Sequence, residues 1–195
     1  MRGFDLMNET VACFKLHSLA VPLSAFITDT VMFEVSSSAS PLPKAAHYEE
    51  LVAQARSLLA GETDWIANAA NFSAFVFHSL SDLNWVGFYF LRGDTLVLGP
   101  FQGQPACTRI ALGSGVCGTA AARQETILVA DVHEFPGHIV CDTASLSEIV
   151  VPFNVAGKLS GVLDIDSPEL SRFGAAEQAL FEAVAALYVE ACEAS

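Results

Sequence analysis

Two apolar runs, W-V-G-F-Y-F-L-R and T-L-V-L-G-P-F, flank the pair Gly93-Asp94 and constrain this chain more than any other feature. Aromatic and β-branched residues on either side of a two-residue glycine turn read as an antiparallel hairpin. Further strands are expected at Cys107 to Leu112, Thr126 to Ala130, Ile149 to Val155 and Leu159 to Asp166, the last two joined through Gly157-Lys158. Helical spacing surrounds them. Leu51, Val52, Ala55, Leu58 and Leu59 recur on one stripe before Gly61; Trp65, Ala69, Phe72 and Val76 form a second, with Thr63 as its expected cap. Gly174 to Ala194 reads as a closing helix with Leu180, Val184, Leu187 and Ala191 on one face. Helices at both ends around a mainly antiparallel sheet predict a single α+β domain over 44–195.

Composition narrows the function. The chain has 195 residues, 52% of them hydrophobic, which suffices for one sizeable core. With 22 acidic against 9 basic residues its formal net charge is -13, which repels phosphate backbones and argues against nucleic acid as a partner. Cys13, Cys107, Cys117, Cys141 and Cys192 form no C-x-x-C pair, and the chain is too large for a disulfide miniprotein. The expectation is a cytoplasmic protein that keeps its cysteines as thiols. Residues 1–43 mix apolar runs with charges and end in S-S-S-A-S-P-L-P, so they read as a poorly ordered extension. The uncharged stretch Leu16 to Thr28 is broken by Pro22 and is shorter than the roughly 18 residues of a membrane span. Early acidic residues argue against a mitochondrial presequence, and no clean A-x-A site follows the apolar run.

Three groups of residues could carry chemistry. Asp164 and Asp166 are two apart in L-S-G-V-L-D-I-D, so they share a face of one strand, about 7 Å apart, while Leu163 and Ile165 face the other way. Such a pair can hold a cationic amino group, and its own repulsion can keep one member protonated. Glu148 begins the preceding strand and could converge with them across the hairpin. Second, the long connection D-V-H-E-F-P-G-H-I-V-C-D-T-A-S-L-S-E carries Cys141 among His133, His138 and Asp142. A thiol there becomes a nucleophile if a protonated His138 lowers its pKa. The same loop could instead hold zinc through His133, His138, Cys141 and Cys107, but H-x4-H-x2-C departs from common zinc spacings. Third, G-S-G-V-C-G at Gly113 to Gly118 matches G-x-G-x-x-G, yet the helix that follows is short and the strand before it is polar, so tight-turn glycines are the better reading. Cys117 then lies near a helix N-terminus, where the dipole lowers a thiol pKa.

Taken together, N-W-V-G-F-Y-F, L-V-L-G-P-F-Q-G-Q-P-A-C-T-R-I, G-S-G-V-C-G-T-A, D-V-H-E-F-P-G-H-I-V-C-D, S-E-I-V-V-P and G-V-L-D-I-D-S resemble the free methionine-(R)-sulfoxide reductases, which have a GAF-type domain. The resemblance runs from about Tyr48 to Ala191. It implies that Cys141 is the nucleophile, Cys107 the resolving thiol and Cys117 an auxiliary or alternative resolver. It implies that Trp85 forms an apolar wall for the substrate methyl group and that Glu148, Asp164 and Asp166 line the polar side. It implies further a thioredoxin-type reductant, no metal or organic cofactor, no membrane association, and a homodimer. Cys13 and Cys192 match no motif. The competing expectation is a GAF-type module that binds a small ligand, or senses oxidation, without turnover.

Overall fold

The computed structural model describes residues 43–139 and 142–194. Cys141 and Cys13, and the extension up to residue 42, lie outside the described residues. Two helices lead, α1 over Lys44–Leu59 and α2 over Trp65–Ser79. The expected hairpin follows as β1 (Trp85–Arg92) and β2 (Thr95–Gly103), then β3 (Arg109–Ala111), α3 (Gly115–Arg123), β4 (Ile127–Val129), β5 (Ser147–Val155), β6 (Lys158–Ser167) and the closing helix α4 (Ala175–Glu193). The six strands form one antiparallel sheet in the order β3-β2-β1-β6-β5-β4.

Alternation along the strands sorts two cores. Val86, Phe88 and Phe90 of β1, Ile149, Val151 and Phe153 of β5, and Leu163 and Ile165 of β6 point to one face. There they meet Leu51, Ala55 and Leu59 of α1, Ala69, Phe72 and Val76 of α2, and Leu180, Val184 and Leu187 of α4. Each such side chain, taken fully out of water, contributes roughly 1.5–3 kcal/mol. The opposite face carries Trp85 and Tyr89 of β1 and Val150 and Val162, covered by α3 through Val116, Cys117, Ala120 and Ala121.

One expected detail differs. The cap of α2 is Asp64, whose carboxylate accepts from the backbone N–H groups of Ile66 at 2.9 Å and Ala67 at 2.8 Å. Thr63 sits one residue too early for its hydroxyl to reach those donors, and its own N–H is taken by Glu62. On the helix-covered face, the start of α4 is tied down by Glu177. Its carboxylate accepts from the Gly174 N–H, the Tyr48 hydroxyl and Arg172, and pairs with Lys44.

Candidate active site

The second face of the sheet is where charge is buried. Asp166 of β6 stands directly opposite Glu148 of β5 and Trp85 of β1, and Asp164 stands opposite Gly87. The register therefore brings the three carboxylates expected from sequence into one patch, with Glu148 and Asp164 diagonal neighbours across the hairpin. Above them lies Cys117, in the first turn of α3, its Sγ 4.0 Å from Glu148 Oε1. These four residues, with Tyr89, Ile110, Ser114, His138, Ile139, Asp142 and Ser145, line a half-open pocket of about 400 Å³ including its mouth.

The glycines expected to make tight turns place Cys117. Gly113 and Gly115 adopt φ of 82° and 60°, and a side chain on Gly118 would come within 2.3 Å of the Ala111 carbonyl. They serve the close approach of α3 to β3. Among the described residues there is no dinucleotide fold: the sheet is antiparallel and α3 has 9 residues.

Trp85 sits beside this pocket rather than in its lining. Its ring lies over Gly87, where an added Cβ would meet it at 2.5 Å, and its indole N–H donates to the Gln104 carbonyl at 3.1 Å. It stacks on Tyr89, ring centroids 5.9 Å apart, and Tyr89 is the aromatic that reaches the pocket. The Tyr89 hydroxyl in turn donates to the Cys107 carbonyl at 3.0 Å, so the segment between β2 and β3 is hung on this aromatic pair. Sequence reasoning missed Tyr89, although its period-two relation to Trp85 in W-V-G-F-Y signals a shared face.

It also missed Asn84. This side chain donates to Asp142 at 3.0 Å and to Ser145 at 2.9 Å, pinning the loop just after Cys141 to the entry of β1. The loop is tied at its base as well, where Val132 donates to the Leu146 carbonyl and Leu146 to that of Ser167.

Electrostatics correct two sequence expectations. Burial, reinforced by Asp164 and Glu148, pushes the Cys117 thiol well above its usual range, so the helix N-terminus does not prevail and Cys117 is held protonated. Burial, with His133 nearby, pushes His138 below the usual imidazole range, so the ring is neutral near pH 7 and supplies no imidazolium. The carboxyls shift the other way. Burial raises Glu148 well above the carboxylate range, with Asp164 and Asp166 adding to it. Asp166 is raised by burial, Asp164 and Asp142. Asp164 is raised by burial to about 6, against hydrogen bonds from Cys117 and Glu148 that favour its ionised form. At neutral pH the cluster therefore retains exchangeable protons. His133 is exposed and turned to Asp131 at 2.9 Å.

The GAF domain family matches residues 69–193. A free methionine-R-sulfoxide reductase of Escherichia coli strain K12 is 52% identical over 145 residues, which make up 74% of this chain and 88% of that protein. This chain belongs to the free methionine-R-sulfoxide reductase family. Another reductase of the family, from Saccharomyces cerevisiae, is 41% identical over 161 residues, covering 78% of this chain and 89% of that protein. The free methionine-R-sulfoxide reductase of Neisseria meningitidis, solved in complex with its substrate, superposes with a TM-score of 0.79 at 44% identity, over 84% of this chain and 98% of that one. Among the described residues no helix is long and apolar enough to cross a membrane.

Proposed function

We propose that this family member reduces free L-methionine (R)-S-oxide to L-methionine in the cytoplasm, with Cys141 as nucleophile and residues 44–195 as the catalytic domain. The observation that carries the reading is the convergence of Glu148, Asp164 and Asp166 around one pocket with their acidities weakened by burial. A sulfoxide oxygen must be protonated to leave, and a carboxyl group that keeps its proton near neutral pH can supply it. An ionised member of the same trio pairs with the substrate ammonium. Tyr89, backed by Trp85 stacked against it, supplies the apolar wall for the methyl group.

The step balances without a metal or organic cofactor. The Cys141 sulfur attacks the sulfoxide sulfur, a carboxyl protonates the oxygen, and that oxygen passes to Cys141 as a sulfenic acid while the two-electron-reduced thioether departs as methionine. Cys107 then condenses with the sulfenic acid, releasing water and forming a disulfide. A dithiol protein of the thioredoxin type reopens it by exchange. Cys117, held as a buried thiol, is a poor first nucleophile and fits the role of an alternative resolver.

Single-turnover assays divide the roles. Cys141→Ser is expected to lose all reduction, whereas Cys107→Ser still releases about one methionine per site before recycling fails. Wild-type turnover by Cys141→Ser would overturn the nucleophile assignment. A wild-type chain that binds the sulfoxide without turning it over in the presence of thiol would instead favour a sensing module.

A further inference from the structure

The buried side of the pocket holds a donor set that can act together on a ligand other than the amino acid. Cys117 Sγ, one oxygen of Glu148 and one of Asp164 lie within 4.8 Å of one another, and all three residues are buried. They come from three separate elements, α3, β5 and β6, so no local loop geometry accounts for the cluster. His138 Nε2, from the loop between β4 and β5, stands 4.0 Å from Glu148 Oε2. The second observation is an unmet acceptor. Asp164 Oδ1 lines this pocket in a residue only 7% exposed and has no hydrogen-bond partner among the described residues.

Zinc bonds of about 2.3 Å to sulfur and 2.0–2.2 Å to nitrogen or oxygen put the ligand atoms of a tetrahedron roughly 3.3–3.8 Å apart. The Cys117, Glu148 and Asp164 donors, within 4.8 Å of one another, close to that spacing with side-chain movements of about 1 Å. The thiolate donor selects zinc over magnesium or calcium, which take oxygen shells. A dication also relieves the repulsion among buried acids that otherwise must hold protons.

We propose that the reduced pocket is a zinc(II) site, with Cys117, Glu148 and Asp164 as its protein ligands, and that zinc occupies it in competition with the amino-acid substrate. On binding, the ion displaces the thiol proton and those carried by the two carboxyls to solvent, with no change of oxidation state. The metal site stands independently of turnover; only the competition arm rests on the reductase reading.

The test is a titration of the reduced full-length chain with zinc(II) against a chromophoric chelator, repeated with cobalt(II) for its thiolate-to-metal charge-transfer band. One metal per chain is expected, with the cobalt band present in wild type, Cys107→Ser and Cys141→Ser and abolished in Cys117→Ser. Zinc affinity should fall at least about 100-fold in Cys117→Ser and about 10-fold or more in Asp164→Asn. No stoichiometric binding, or a cobalt band that survives in Cys117→Ser, overturns the site. Free methionine sulfoxide is expected to displace the metal. If wild type binds zinc through Cys117 but the sulfoxide leaves it in place, the metal site holds and the competition claim falls.

Discussion

The two faces of the sheet are built from the same strands, residue by alternate residue, yet they treat burial oppositely. The face under α1, α2 and α4 is filled by Val86, Phe88, Phe90, Leu163 and Ile165, and the principal buried charge at its rim, Glu177, is fully partnered. The face under α3 interrupts its apolar cover with Glu148, Asp164 and Asp166 and leaves Asp164 Oδ1 without a partner among the described residues. Burying a partnered charge is close to neutral, whereas burying unpartnered acids is costly unless they stay protonated. One face is apolar with its buried charge partnered, and the other sets buried acids of weakened acidity into its apolar cover.

The sharpest way to break that comparison is to truncate across it. Phe88 is fully buried, edge-on to Phe72 and against Tyr188. Phe88→Ala should lower the free energy of unfolding by roughly 3–5 kcal/mol, measured by urea denaturation, while the folded fraction keeps its affinity for the substrate. Loss of substrate affinity larger than loss of stability would mean that the faces are not separable.

The second prediction tests what the site face keeps its acids for. Free methionine sulfoxide brings an ammonium that the carboxylates can pair with, and N-acetylation replaces it with a neutral amide. The lost charge-assisted contact should cost about 1.5–3 kcal/mol, one to two decades in kcat/KM, before any steric exclusion. Asp164→Asn or Asp166→Asn should narrow the gap. Comparable kcat/KM values for the two substrates would sink the ammonium-pairing role.

Sequence periodicity made most of this architecture legible. Every strand expected from alternation is present, because the apolar residues of β1, β5 and β6 had to reach a helix-covered core. Leu163 and Ile165 facing away from Asp164 and Asp166 followed from the period of two, and Glu148 converges with them because a hairpin register fixes its opposite number. What was not legible depends on distance in three dimensions. The reversal at Cys117 arises because Asp164 and Glu148, 47 and 31 positions along the chain, close over a thiol whose helix position alone suggests the opposite shift. Neutral His138 has the same origin: a loop histidine reads as solvated until the pocket wall is seen to take it. Asn84 left only its place in N-W-V-G as a signal, since its partners Asp142 and Ser145 lie 58 and 61 positions along the chain.

The smallest expected effect separates the two faces by the sign of their pH dependence. Glu177 lies on the helix-covered side; burial acts to raise its pKa, but hydrogen bonds from Lys44, Tyr48 and the Gly174 backbone prevail and hold it at about 2, below its ordinary 4.5. A depressed acid stabilises the fold above its unfolded value and loses that contribution as pH falls from about 4.5 towards 2. Asp164 is the reverse. Burial raises it from 3.8 to about 6, so its contribution is present below pH 3.8 and is lost as pH rises to about 6. Because Asp164 shares its surroundings with Glu148 and Asp166, the upper limb belongs to the trio rather than to Asp164 alone. Stability against pH should therefore peak near about pH 4, with two limbs that separate by mutation. Glu177→Gln should flatten the limb below about pH 4.5, and Asp164→Asn should reduce the one that begins at about pH 4, each leaving the other in place. Urea midpoints measured from pH 2.5 to 7.5 decide it. If Asp164→Asn left the upper limb unchanged, the acids of the site face would not be held protonated by the fold, and a proton donor for the sulfoxide would have to be sought elsewhere in the pocket.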